Sequence, residues 1–191
     1  MKSFIAASLL TLIAASAAAP SSRVLRFAKR DSPNGCSGGD PGAQGVIDAI
    51  NQWNSDVETV NLFLEVAPTL AVIDLDIQLE GVLNAAQDEP NQLQILACES
   101  DVFPGTDAQA AVDDLFNGFE DNVLTPLGNI VASTGNADIV ASNLHTINQF
   151  RCCSVLPDLD TLWTATAVDE GVANVVPIAA PRPSTCASIT C

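Results

Sequence analysis

Apolar side chains recur at helical spacing along most of the chain after residue 40. Asp40 followed by Pro41 is typical of a helix start, because aspartate caps helix N-termini and proline is tolerated at the first helical position. Steps of three and four residues then separate Val46, Ile50, Trp53, Val57, Val60 and Leu64. This spacing places those side chains on one face of an α-helix, with polar residues between them. We predict that this helix ends at Pro68.

The second apolar segment runs from Thr69 to about Ala86. It begins with a strand-like alternation but continues at helical spacing, and its length favours a helix. The sequence at residues 88–90 is Asp-Glu-Pro, and we expect it to end the helix because proline interrupts helices. A short separate helix should follow around residues 93–98.

The second half of the chain carries three more helix signals. Thr106 and Gln109 have the spacing of a capping box, and the helix that they open should kink or split at Pro126. Asn136 should cap the next helix, and Pro157 should open the last one. The pattern predicts an all-α fold: one helical bundle of about five helices over residues 31–170.

The last segment breaks the helical pattern. Residues 171–191 contain Pro177, Pro181 and Pro183, which exclude a regular helix there. We predict an extended, proline-rich tail that its cysteines tie back to the bundle.

The first nineteen residues have the three zones of a secretory signal peptide. Lys2 supplies the positive zone, residues 4–14 are apolar or small, and residues 17–19 are alanines suited to signal peptidase. The apolar run is shorter than the about 20 residues that a membrane span requires. Residues 20–30 end in Lys29-Arg30, so we predict a propeptide cleaved after Arg30. A solvated basic cluster is the alternative.

Cleavage after Arg30 would make the chain strongly acidic. The full sequence has 7 basic and 23 acidic residues, for a formal net charge of −16. Residues 31–191 keep all 23 acidic residues but only two basic ones, which gives −21. Such a charge opposes contact with nucleic acid or anionic lipid headgroups. It suits a basic extracellular or cell-wall partner.

Six cysteines behind a secretory signal predict three disulfides. They are Cys36, Cys98, Cys152, Cys153, Cys186 and Cys191. No pair has the spacing of zinc ligands, so we predict no metal centre. We expect the adjacent Cys152 and Cys153 to bond separate partners, one of them Cys98 and the other a terminal cysteine.

The sequence contains no recognisable catalytic centre. His145 is the one histidine, and no Gly-x-Ser-x-Gly motif accompanies it. Carboxylate pairs such as Asp113 with Asp114, or Asp158 with Asp160, could serve a glycosidase, but 23 acids produce such neighbours by chance. No EF-hand loop is present. We predict no enzyme, no cofactor and at most weak, diffuse calcium binding.

The broad apolar helix faces allow two interpretations. They either fill a solid core or enclose a cavity for a hydrophobic ligand such as a lipid or fatty acid. The solid core is the simpler interpretation for each single residue. The candidate ligand contacts are Ile50, Trp53, Val57, Leu79, Phe116, Phe119, Leu144 and Trp163.

The signal peptide, the short prosegment and the lysine-poor, Ala/Val/Leu/Asp/Asn-rich helices resemble small secreted fungal proteins. Over residues 43–170 the helix pattern resembles the hydrophobic-surface-binding and cell-wall galactomannoprotein family, although no signature motif is present. The resemblance implies a helical bundle, an extracellular or cell-wall location, and affinity for apolar surfaces or fatty acids. Six cysteines and the proline-rich tail depart from that family, and no family binding residue can be carried over. The alternatives are an effector-type or antigen-type protein that acts through its acidic surface, and a carboxylate-based hydrolase.

Overall fold

The computed structural model describes Cys36 and residues 39–191, which contain helices and turns but no β-strand. The predicted signal peptide and propeptide lie outside the described residues. Six α-helices occupy Gly42–Val66 (α1), Val72–Leu96 (α2), Asp107–Phe119 (α3), Thr125–Val131 (α4), Ala137–Phe150 (α5) and Leu156–Asp169 (α6). A π-helical turn, Glu120–Leu124, joins α3 to α4, and a second one, Arg151–Val155, joins α5 to α6. The described chain therefore forms four continuous helical rods, not about five separate helices.

The prolines expected to divide the later helices lie inside two of these rods. Pro126 and Pro157 each lie two residues after the last residue of a π-helical turn. In these turns the N–H groups of Thr125 and Leu156 donate to carbonyls five residues earlier. In the wider turn the backbone bonds span five residues and not four, immediately before a proline, which has no N–H to donate. The rods consequently continue through both prolines.

Pro90 lies in the interior of α2, so the predicted break at residues 88–90 and the separate short helix after it are wrong. A proline inside a helix costs about 3 kcal/mol. The adjacent Glu89 is fully buried and binds Arg151 and Trp53. Because the helix is anchored in the core beside the proline, tertiary contacts outweigh the local preference.

Two predicted helix starts are confirmed, those capped by Thr106 and by Asn136. Thr106 accepts a hydrogen bond from the Gln109 N–H at 3.1 Å, and Asn136 accepts one from the Ile139 N–H at 3.3 Å. The second bond of the capping box does not form, because the Thr106 N–H donates to the Phe103 carbonyl at 3.1 Å instead of to the Gln109 side chain. Asp40 accepts the N–H of Gly42 at 2.8 Å. The helix α1 begins at Gly42, one residue after Pro41, the predicted first helical residue.

One continuous apolar core lies between the rods. α1 packs along α2, and α3 packs against α6. At the centre Trp53 and Trp163 meet edge to face, with ring centroids 6.2 Å apart. This geometry is favourable for an aromatic pair. No helix among the described residues combines the length and the apolar character that a membrane crossing requires.

The six cysteines form three disulfides, Cys36–Cys98, Cys152–Cys186 and Cys153–Cys191. The adjacent cysteines bond separate partners, as expected. The expectation that one of them bonds Cys98 is wrong, because both take cysteines of the tail. Cys36 precedes α1 and Cys98 follows the antiparallel α2, so these two cysteines meet at the same end of the hairpin.

The tail contains turns and a short 3₁₀-helix, Ser184–Ser188, where the sequence predicts an extended segment. Its backbone is bonded to the bundle at several points. Asn61 donates to the Pro181 carbonyl at 2.8 Å, Glu65 accepts the Ser184 N–H at 2.7 Å, and Asp160 accepts the N–H of residue 180 at 2.7 Å. These bonds and the two tail disulfides hold the segment against α1 and α6.

Candidate functional site

The side chains predicted to contact a hydrophobic ligand lie mainly in the core. Phe116 is half-buried and packs against the core, whereas the other seven are buried: Ile50, Trp53, Val57, Leu79, Phe119, Leu144 and Trp163. They contact other core side chains, as the two tryptophans illustrate. Leu144 is the member of this set that also lines the surface groove described next. A ligand role for all eight side chains, Leu144 included, stays a prediction.

A groove of about 520 Å³ opens where the α1–α2 turn meets the start of α5. Its apolar lining combines Leu70, Val72 and Leu75 on one side with Val140 and Leu144 on the other. Small residues of the α1–α2 turn, of the α4–α5 turn and of the first two turns of α5 complete the lining. The volume falls within the range of about 300–1,000 Å³ that is usual for ligand pockets.

Two local sequence features position the two walls of the groove, the turn at Pro68 and the helix cap at Asn136. The α1–α2 turn is a 3₁₀-helix, Ala67–Thr69, that contains Pro68 and is followed by an extended Leu70. This sharp turn directs the chain from α1 into α2, with Leu70 and Val72 at the groove. The opposite wall begins where Asn136 caps α5.

Large exposed apolar side chains concentrate around the same end of the bundle, which we call the apolar end. Of the twelve such side chains in the described part of the chain, seven lie here: Leu62, Val66, Val72, Ile73, Ile77, Val131 and Ile139. Ile73 and Ile77 are 73% and 69% exposed on successive turns of α2, opposite the buried Leu75 and Leu79. Single exposed apolar residues are normal, but a concentration of them beside a groove indicates an interaction site.

The polar side chains of the groove are few. His145 is exposed and Asn148 is half-buried, and both lie at one edge. Asn148 accepts a hydrogen bond from the Thr185 hydroxyl of the tail at 3.3 Å. Among the described residues that line the groove there is no Asp or Glu, although the sequence contains 23 of them. The groove therefore favours apolar contact and offers His145 no carboxylate partner.

The carboxylate pairs considered from the sequence lie elsewhere. Asp160 binds Arg182 at 2.6 Å and a backbone N–H of the tail, which is a structural role. Burial, with a smaller contribution from Asp114, raises the pKa of Asp158 to about 6. Asp113 accepts from the Gln109 side chain. A hydrolase built on these acids stays a hypothesis.

Sequence reasoning missed a buried polar network that crosses the core. Arg151 and Glu89 are both fully buried and form an ion pair at 2.8 Å. The second Glu89 oxygen accepts the Trp53 indole N–H at 3.1 Å, and Arg151 also donates to Asn61 at 3.4 Å. The one available signal was the position of Arg151, a rare cation next to the apolar face of α5.

No protein-family model, curated protein or solved structure matches the chain. The structure itself defines the class of protein: an all-α chain of helical rods cross-linked by three disulfides. Disulfides of this kind are typical of extracellular proteins.

Proposed function

We propose that this chain is a secreted, non-catalytic binding protein whose apolar end takes up a hydrophobic ligand with an alkyl chain or attaches to a hydrophobic surface. The observation that carries the proposal is the groove beside Val72, which lacks carboxylates and is surrounded by exposed apolar side chains. The predicted signal peptide and the three disulfides support an extracellular location.

The energetics of the groove suit an alkyl chain. Each buried methylene contributes about 0.8 kcal/mol, and the cost of association subtracts several kcal/mol from the sum. About ten buried methylenes contribute about 8 kcal/mol, which alone corresponds to a dissociation constant of about 1 μM, so the cost of association makes the expected binding weaker than micromolar. His145 and Asn148, at the groove edge, can donate hydrogen bonds to a polar head group.

The charge of the protein influences which head group is accepted. A net charge of −21 for residues 31–191 repels an anionic carboxylate. Binding of a fatty acid should therefore strengthen as the pH falls toward the carboxyl pKa of about 4, because both partners lose negative charge.

Substitutions at the apolar end test the proposal. Val72→Asp places a carboxylate in the groove, and we expect it to weaken the binding of a fluorescent fatty acid at least tenfold in a titration of the purified protein. The double variant Ile73→Ser/Ile77→Ser should reduce adsorption to polystyrene beads. The matched control is Val168→Ser, which changes a side chain that is 62% exposed at the opposite end of the bundle.

Two results would contradict the proposal. One is a wild-type protein that neither binds the fatty acid nor adsorbs to the beads. The other is an equal loss in the Val168→Ser control, which would show that binding does not depend on the apolar end. Circular dichroism of each variant confirms that a loss of binding does not reflect unfolding.

A second candidate function is attachment to a basic partner, and one observation favours it. Both cations of the described chain are paired internally, Arg151 with Glu89 and Arg182 with Asp160. The acidic residues on the surface are therefore not offset by free basic side chains. Salt weakens such binding, whereas it does not weaken hydrophobic binding. Capture of a lysine-rich peptide that persists at 0.5 M NaCl would exclude this mode.

A further inference from the structure

Five carboxylates from separate parts of the chain meet at the end of the bundle opposite the groove, which we call the acidic end. Asp40 precedes α1, Glu99 and Asp101 follow α2, and Asp169 and Glu170 end α6. Oxygens of Asp40, Glu99 and Glu170 lie within 4.8 Å of one another, and so do oxygens of Glu99, Asp101 and Asp169. Glu99 belongs to both groups and stands at the centre.

Glu99 is 1% exposed, and neither of its carboxylate oxygens has a hydrogen-bond partner among the described residues. One oxygen of Asp101 is buried and unpartnered as well. Buried polar atoms are nearly always hydrogen-bonded, because burial without a partner costs several kcal/mol. Neither Arg151 nor Arg182 neutralises the cluster, since each pairs with another acid. The part of the chain that the structure describes therefore supplies no compensating group to the buried carboxylate.

The surrounding structure holds these carboxylates in place. The Cys36–Cys98 disulfide joins the segment before α1 to the residue next to Glu99. The Glu99 backbone is fixed on both sides, because its N–H donates to Leu96 and its carbonyl accepts from Val102, each at 3.1 Å. Ser100 donates to one oxygen of Asp169 at 2.9 Å, which orients that carboxylate. The site is thus built from rigid parts.

We infer that the acidic end is a calcium site, with Glu99 as its central ligand and Asp40, Asp101, Asp169 and Glu170 around it. Calcium accepts six to eight oxygen ligands in flexible geometry, and five carboxylates can supply them. Magnesium requires a small, near-ideal octahedron and retains its waters, so it fits this wide acidic shell less well. Zinc prefers histidine and thiolate ligands, and all six cysteines of the chain are in disulfides.

The electrostatics of the cluster agree with this assignment. Burial, followed by the negative charges of Asp40 and Glu170, raises the pKa of Glu99 to about 8. Burial and Asp169 raise the pKa of Asp101. A bound divalent cation would offset this mutual repulsion.

Calorimetric titration of calcium chloride into the chelator-treated protein tests the site. We expect one saturable ion with a dissociation constant of about 10⁻³ M or tighter, the range of extracellular calcium modules. Glu99→Gln should weaken binding at least tenfold. The matched control, Glu80→Gln, changes an exposed glutamate of α2 and should leave the affinity unchanged.

Thermal unfolding shows whether a variant that fails to bind calcium is still folded. Calcium should raise the Tm of the wild-type protein and of Glu80→Gln but not that of Glu99→Gln. Glu99→Gln without calcium should be at least as stable as the wild type, because glutamine has the same shape and no charge. The inference is overturned if the wild type shows no saturable calcium binding, if Glu99→Gln binds equally well, or if magnesium binds as tightly as calcium. Val72→Asp should bind calcium normally, which keeps this test independent of the proposed function.

Discussion

Replacing Arg151 by methionine should destabilise the bundle by about 3–5 kcal/mol. Methionine fills much of the space of the arginine stem, but it removes the cation that faces Glu89 at 2.8 Å. Glu89 is fully buried and would retain the Trp53 indole N–H as its hydrogen-bond donor. The cost therefore arises mainly from a buried carboxylate without its counter-charge, and not from a lost attraction.

The expected loss is a large part of the total stability, which for a domain of this kind is about 5–15 kcal/mol. Adding Glu89→Gln to Arg151→Met removes the stranded charge and keeps an oxygen that can accept from Trp53. The double variant should therefore recover at least about 2 kcal/mol relative to Arg151→Met alone. Arg182→Met is the control, because the Arg182–Asp160 pair is more than a third exposed. It should cost no more than about 1 kcal/mol.

Urea unfolding with the disulfides intact measures these differences, and the fluorescence of the two core tryptophans reports the transition. The free energies of unfolding of the wild type, Arg151→Met, Glu89→Gln and their double variant form a thermodynamic cycle. The reasoning is refuted if Arg151→Met costs less than about 1 kcal/mol, or if the effects of the two substitutions simply add.

Asp56 should make the protein less stable as the pH rises. Burial raises its pKa from 3.8 to about 7, so the folded state binds more protons than the unfolded state between those values. The associated stability is present below about pH 4 and is lost as the pH passes 7. Asp56→Asn imitates the protonated form and should remove part of this decline, at most about 4 kcal/mol at pH 8; unchanged urea midpoints at pH 8 would contradict this. Removing one tail disulfide, with Cys152→Ala/Cys186→Ala, should cost at most about 4 kcal/mol, the value for its sequence separation of 34 residues, because Cys153–Cys191 still closes nearly the same loop. Thermal unfolding measures this cost, and a loss clearly larger than about 4 kcal/mol would contradict the chain-entropy estimate.

The sequence predicted the helices well because the signals for helices are local. Apolar spacing and the capping residues Thr106 and Asn136 act within one or two turns of the chain, and the structure confirms them. The prolines were misjudged because their outcome depends on other contacts. Pro90 is held within α2 by a neighbour that binds across the core, and Pro126 and Pro157 follow π-helical turns that no local pattern announced.

The candidate sites were harder to predict for the same physical reason. A helical stripe identifies inward-facing residues such as Ile50 and Trp53, and in a filled core these contact one another. The groove instead uses residues of the α1–α2 turn, such as Leu70, together with the start of α5. The acids around Glu99 come from segments up to about 130 residues apart in the sequence. Only the folded chain brings such residues together.

The antiparallel arrangement of the rods explains why the two candidate sites lie at opposite ends. Short turns between α1 and α2, and between α4 and α5, collect apolar residues at one end, whereas the longer loop after α2 and the end of α6 collect carboxylates at the other. Each end also has its own covalent support. The Cys36–Cys98 disulfide adjoins Glu99, and the Cys152–Cys186 disulfide holds the tail where Thr185 contacts the groove edge at Asn148. The disulfides thus stabilise the fold and also fix the chain segments that form each candidate site.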